Sequence, residues 1–318
     1  MKDGTPTRPR FHTGEFAGWP NCVFIQHGET ELVATTDVGP RILRCGLLQN
    51  APNIFKTFDD DLGVTSGEEY RLFGGHRLWH SPEAWPRSYS PDFAPVEYHW
   101  DEQELHLEQR VEPDTGIRKS ITIDCMADGS FRVRHRLRNE GLWPVRLAAW
   151  SMTLMAGGCR AIVPQEEFRP HPEHLDPART MTLWHYTRMD DPRVNWGAQF
   201  IQVTENPGVN RKFKVGLGNR QRWAACWSNG CLFIKTFAFE PGAEYPDGGC
   251  NLELFTMPGF LELESLGPLT TVAPQDTVVH DEIWHLWPLA ELPHDEDALA
   301  DALAPYLSRL QFPDGRGQ

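Results

Sequence analysis

The sequence predicts an all-β protein, a large antiparallel β-sandwich that ends in one short helix. Short segments rich in β-branched, aromatic and alternating residues recur from Val23 to about residue 287, with turn residues between them. No helical spacing interrupts that series, so the strands are expected to pair antiparallel and pack as sheets. Only residues 295–310 carry apolar side chains at helical spacing.

The clearest strand is Phe131 to Arg138, where Phe131, Val133, His135 and Leu137 alternate with four arginines. One face belongs to the core and the other to solvent. His135 falls on the apolar side, which makes it a core residue or the floor of a cleft. Similar segments lie at 30–36, 40–48, 95–100, 104–111, 117–125, 145–155, 199–204, 212–217, 223–228, 231–239, 249–256, 260–266 and 277–287. Ser228-Asn229-Gly230 marks a tight hairpin, because Asn-Gly accepts positive φ at both central positions.

Residues 157–195, with Pro164, Pro170, Pro172, Pro177 and Pro192, are expected to form a long structured excursion with little regular structure. Gly216-Leu217-Gly218 is expected to be a turn. Leu299, Leu303, Tyr306, Leu307 and Leu310 form the stripe of a packing helix that Pro305 should kink or interrupt. No linker or repeat divides the chain, so residues 1–311 are expected to form one domain and 312–318 a loose tail.

Composition bounds the function. A hydrophobic content of 40% with 12 Trp and 17 Phe is ample for a sizeable core. A net charge of −14 and no basic stretch argue against nucleic acid as a partner. No apolar run is long enough to span a membrane, and Met1 to Pro6 lead into polar sequence, so a cytoplasmic protein is expected. The seven cysteines are scattered without a CxxC pair, which suits buried thiols, with Cys125 on the inner face of its strand.

The chemistry concentrates in two segments. Gly74-Gly75-His76-Arg77-Leu78-Trp79-His80-Ser81-Pro82-Glu83 joins two imidazoles, a guanidinium, an indole and a carboxylate, a set suited to binding and proton transfer on a polar ligand such as a sugar. The same cluster also reads as an ordinary hydrogen-bonded loop. His76 and His80 form an HxxxH pair, yet Arg77 between them repels a cation and a third ligand such as His185 or Glu264 would be needed, so no metal and no cofactor are expected. In the second segment, Glu262 and Glu264 share one face with Phe260 and Leu266, while Leu261, Leu263 and Ser265 face the other way. A carboxylate among apolar neighbours has a raised pKa and suits general-base work. The alternative is that both acids face solvent. Nucleophile-elbow, Walker and dinucleotide motifs are absent from suitable contexts.

The strand series, the Gly-Gly-His segment before a Trp, the central strand from Val145 to Leu154 and the late Leu263-Glu264 strand before Pro268 together resemble the galactose mutarotase-like superfamily, which contains aldose 1-epimerases and hexose-6-phosphate mutarotases. A bacterial branch of it is resembled through Thr36-Asp37-Val38-Gly39-Pro40-Arg41-Ile42, the 74–80 segment, Trp184-His185-Tyr186-Thr187 and Tyr245-Pro246-Asp247-Gly248-Gly249-Cys250, over about residues 20–290. The resemblance implies a mutarotase or epimerase in which Glu264 takes the anomeric hydroxyl proton, His76 contacts the sugar, and Arg71 or Arg77 supplies the arginine. One departure bears on catalysis. Where the epimerases carry their acid histidine, this chain reads Ala148-Ala149-Trp150-Ser151-Met152, so the acid would come from His80, His185 or His135, with His185 favoured. Trp79, Trp150 and Trp184 are the stacking candidates, and Asp191, with Asp190, resembles a substrate-binding aspartate. Two other readings stand beside this one: a non-catalytic carbohydrate-binding protein, and a lyase or isomerase that holds an acidic sugar through Arg71 and Arg77.

Overall fold

The computed structural model describes residues 8–48 and 51–314. Its strands are β1 (Arg10–Phe16), β2 (Trp19–His27), β3 (Thr30–Thr35), β4 (Arg41–Leu47), β5 (His76–Ser81), β6 (Glu97–Trp100) and β7 (Glu104–Glu108). They continue as β8 (Ile117–Cys125), β9 (Phe131–Asn139), β10 (Val145–Ala156), β11 (Arg160–Pro164), β12 (Met181–Leu183), β13 (Val194–Trp196) and β14 (Phe200–Thr204). The last are β15 (Phe213–Leu217), β16 (Trp223–Ser228), β17 (Cys231–Phe237), β18 (Leu252–Met257), β19 (Phe260–Leu266), β20 (Thr270–Val272) and β21 (Thr277–Pro288).

Two antiparallel sheets result. The first runs β1-β2-β3-β4-β5-β10-β19-β18-β15-β12, with β20 added to β10, and the second runs β13-β14-β11-β16-β17-β21-β9-β8-β7-β6. Between them lies the main core, which includes Ile25, Phe55, Leu105, Ile121, Val133, Phe213, Leu254 and Trp284. The outer face of β11, β16 and β17 is covered by the helix Glu296–Leu307 through Leu299 and Leu303. Asp295 caps that helix by accepting from Ala298 N. Pro305 sits inside its last turn and the helix ends two residues later, so the proline closes the helix without breaking it earlier.

The alternation of β9 places Phe131, Val133, His135 and Leu137 inside. Asn229 and Gly230 adopt positive φ between Ser228 and Cys231, as a tight hairpin requires. All seven cysteines are buried free thiols.

Three expectations change. Residues 157–195 contain β11, β12 and β13, and β11 is fully buried in the second sheet between β14 and β16. Ala161, Ile162 and Val163 form a short continuous apolar run without alternation, which suits a strand buried on both faces. Gly216-Leu217 lies in β15 rather than in a turn; a Cβ on Gly216 would come 2.6 Å from Cys250 Sγ. Phe312 and Pro313 pack on Arg222, whose guanidinium lies over the Phe312 ring and donates to the Pro313 carbonyl, while residues 315–318 of the expected tail lie outside the described residues.

Candidate functional site

Residues 76–81 of the 74–83 segment form the strand β5. Gly74 and Gly75 serve its entry, because both have positive φ and a Cβ at either would lie within 2.3 Å of a backbone carbonyl, of Lys56 or Ile42 respectively. From His76 onward the side chains alternate between the two faces of the first sheet. His76 and His80 point between the sheets, and Arg77 and Trp79 point outward into a cleft. Four residue steps along the strand separate the two histidines by about 13 Å, so they cannot share a metal.

The cleft, with a volume of about 330 Å³, opens on the outer face of β5, β10, β19, β18 and β15. Register builds its floor row by row. Trp79 pairs with Trp150, which pairs with Leu266; Arg77 pairs with Met152, Met152 with Glu264, Glu264 with Glu253 and Glu253 with Gly216. The period of two in β19 thus puts Glu262 and Glu264 on the cleft face. Glu253 and Glu264 stand directly opposite each other, a destabilising pairing unless a cation joins them. Lys214 supplies it: its ammonium lies 2.7 Å from Glu253 Oε2 and 3.3 Å from Glu264 Oε2. It also sits over the Trp150 and Trp184 rings, at 4.7 and 4.6 Å. Burial works against the Lys214 charge, but Glu264 and Glu253 raise its pKa above the usual lysine value. The same burial pushes the Glu253 carboxyl well up, against the pull of Lys214.

Glu264 lies beneath the floor. It is fully buried, accepts from Trp150 Nε1 at 2.7 Å and from Lys214 through Oε2, and does not line the cleft. Glu262 does line it, 3.4 Å from Arg77 Nη2. Burial raises the Glu262 carboxyl to about 7, with Arg77 opposing and Glu264 adding to the rise. Arg77 is itself held over Trp79 at 4.8 Å. Tyr70, Tyr89, Trp184 and Tyr186 complete the walls, with Glu83 and Lys212 at the lip.

Arg77, Trp79, Trp150 and Trp184 therefore meet in the cleft, and Glu264 lies directly under it. The other candidates lie elsewhere. Arg71 pairs with Asp61 and Asp191 is buried between Arg193 and Arg211. His185 is exposed, because in Trp184-His185-Tyr186 its two neighbours take the cleft. His80 Nε2 faces Glu112, which Lys119 and His80 hold at about 2 despite burial.

His76 belongs to a closed network between the sheets. Its Nε2 is 2.7 Å from His135 Nε2, and its Nδ1 is 2.9 Å from Thr153 Oγ1. Beside it Glu282 accepts from Ser151, Ser265, Lys235 and Trp284. His76, His135 and Glu282 bring ligand atoms within 4.8 Å of one another, the geometry of a candidate metal cluster. The fit is poor: Lys235 already supplies the cation at 2.7 Å, and the two imidazole nitrogens share one hydrogen bond. Burial keeps both imidazoles neutral by lowering their pKa values.

Glu262, which the alternation of residues 260–266 singles out beside Glu264, is joined in the cleft by Tyr70, Tyr89, Tyr186 and Lys214, none of which the sequence singled out. Lys214 could have been found as the one charge within the apolar run of β15, on the same strand face as Gly216.

No family model matches the sequence, and no curated protein matches it. Solved structures do match in fold. A TPR-domain containing protein from Parabacteroides distasonis aligns over 93% of this chain with a TM-score of 0.57 and 11% identity, and this chain spans 50% of its length. A putative aldose 1-epimerase from Escherichia coli K12 aligns over 88% of this chain and 100% of its own, with a TM-score of 0.54 and 13% identity. A galactose mutarotase-like protein from Lactobacillus casei aligns over 84% and 100%, with a TM-score of 0.53 and 10% identity. The fold is that of a galactose mutarotase-like β-sandwich. Among the described residues no helix is long and apolar enough to cross a membrane.

Proposed function

We propose that the cleft binds a reducing sugar and interconverts its anomers, with Glu262 as the proton-transfer group. The observation that carries the reading is a buried carboxyl on the floor of an aromatic cleft, 3.4 Å from a guanidinium, where burial raises its pKa to about 7. Indole faces suit the C–H side of a pyranose, and the carboxyl and guanidinium suit its hydroxyls. Among the described residues no imidazole lines the cleft, and of its two carboxyls Glu83 is exposed at the lip and Glu262 buried on the floor, so the proposal gives the chemistry to Glu262.

One carboxyl suffices in principle. Its two oxygens are spaced like the two oxygens on an anomeric carbon. In the neutral form, one oxygen of Glu262 donates its proton to the ring oxygen while the other accepts the proton of the anomeric hydroxyl. The C1–ring oxygen bond breaks, the anomeric C–O becomes a carbonyl, and Glu262 ends neutral again. Rotation about C1–C2 and the reverse transfer close the ring on the other face. Arg77 orients the carboxyl, and Lys214 holds Glu264 and Glu253 in place below it. Lys214 stays protonated, so it cannot act as a Schiff-base nucleophile.

The absence of imidazole from the cleft also supports a second reading, carbohydrate binding without turnover. Exchange NMR on free aldoses separates the two. The proposal expects faster α/β exchange on adding the protein, lost in Glu262→Gln. Saturation transfer to the sugar without faster exchange leaves binding alone, and neither effect removes the carbohydrate reading.

A further inference from the structure

We propose that the cleft continues past its rim as a second sugar subsite on Trp85, so that the preferred ligand is the reducing end of an oligosaccharide rather than a free monosaccharide. This rests on the reading of the cleft as a sugar site. The rings form one continuous series from floor to solvent. Trp150 packs on Trp79 at 5.5 Å, Trp79 on Tyr89 at 5.0 Å, and Tyr89 on Trp85 at 4.9 Å. The first three line the cleft and are at least half covered; Trp85 is 78% exposed.

A single exposed indole is ordinary, but this one ends a contiguous aromatic wall. It is also held in position. The Ala84 and Ser88 backbones bond at 2.8 Å, Ser88 Oγ accepts from Ala84 N at 3.0 Å, and Tyr89 N donates to the Pro86 carbonyl at 2.9 Å. Trp85 therefore stands on a hydrogen-bonded turn with its ring packed on Tyr89, which lowers the ordering cost of binding. Two residues before it in the chain, the exposed Glu83 carboxylate lines the cleft lip and accepts from the hydroxyl of Tyr89, the residue on which Trp85 packs. An aromatic face with an adjacent carboxylate is the pattern that recognises a pyranose, through its C–H side and its hydroxyls. A cleft of about 330 Å³ is at the small end for a ligand site, and Trp85, packed on Tyr89 at its rim, extends its aromatic wall outward.

The test is calorimetric titration of glucose, galactose and mannose against maltose, cellobiose, lactose and mannobiose, with saturation-transfer NMR on the tightest pair. At least one disaccharide should bind roughly five- to tenfold more tightly than its monosaccharide, with saturation reaching both rings. In Trp85→Ala that ratio should fall toward one and the outer ring should lose its saturation, while Trp85→Tyr should keep most of the ratio. If every disaccharide binds no better than its monosaccharide, or Trp85→Ala leaves the ratio intact, the second subsite is wrong and the cleft reading stands. If none of the sugars binds, both fall together.

Discussion

Trp150 donates its indole N–H to Glu264 Oε2 across 2.7 Å, joining the cleft floor to the carboxylate beneath it. The bond ties β10 to β19 beneath the cleft and shares the Glu264 oxygen with Lys214. Trp150→Phe keeps most of the apolar contact and removes that donor. The buried carboxylate then loses one of two partners, which should cost about 1–3 kcal/mol of stability. Urea denaturation measures it, and a change within a few tenths of a kcal/mol would show that Lys214 alone satisfies Glu264.

The pH dependence of anomer exchange follows from the state of Glu262. The bifunctional transfer needs the protonated carboxyl, whose pKa burial raises to about 7. Exchange should therefore be fast at pH 6 and fall as the pH rises through about 7 toward 8. Arg77 opposes that rise, so Arg77→Met should carry the inflection to higher pH as well as weaken sugar binding. A rate that climbs between pH 6 and 8 would mean that the ionised carboxylate acts as a simple base.

Part of this site is legible in the chain and part is not. The alternation in residues 260–266 fixes Glu262 and Glu264 on one face, because a strand has only two. Which of them lines the cleft is decided by Lys214 and Trp150, which are remote in sequence and pin Glu264 under the floor. His76 illustrates the opposite difficulty. Its neighbours Arg77 and Trp79 do reach the cleft, but β5 is buried on both faces, so no polar and apolar alternation marks which side looks inward. Likewise β11 hides within a proline-rich stretch because its apolar run is only a few residues long, whereas β9 declares both its faces through four arginines.

Glu282 gathers four donors between the sheets, so its removal has a structural cost and no direct contact with the cleft. Glu282→Ala leaves the fully buried Lys235 without its carboxylate. A loss of about 3–5 kcal/mol is expected, because one half of a buried ion pair remains uncompensated. His76→Ala should likewise lower stability while leaving the sugar affinity of the surviving folded protein close to wild type. Paired denaturation and calorimetric titration check both, and a large affinity loss with unchanged stability in His76→Ala would place that imidazole at the ligand after all.

Acid should destabilise the fold through the same network. Burial lowers the pKa values of His76 and His135, and brings that of His280 from 6.5 to about 4. The unfolded chain thus takes up protons first as the pH falls. Stability from these neutral imidazoles is fully present above pH 6.5 and is lost as the pH drops toward 4, by roughly 3 kcal/mol for His280 alone. Glu282, held well below the usual carboxylate range against its burial, chiefly by Lys235, extends the loss below pH 4.5. Glu262 works the other way: its raised pKa of about 7 gives a contribution present below pH 4.5 and lost as the pH rises to 7. Between pH 4.5 and 6.5 six lowered imidazoles, those of His76, His80, His106, His135, His280 and His285, oppose three raised carboxyls, those of Asp124, Glu253 and Glu262, so the net slope should favour neutrality. Urea denaturation at pH 7.5, 6.5, 5.5 and 4.5 should show stability falling at each acid step, with a shallower slope in His280→Gln and a steeper one in Glu262→Gln. A flat profile would mean that the imidazoles are already charged in the folded protein.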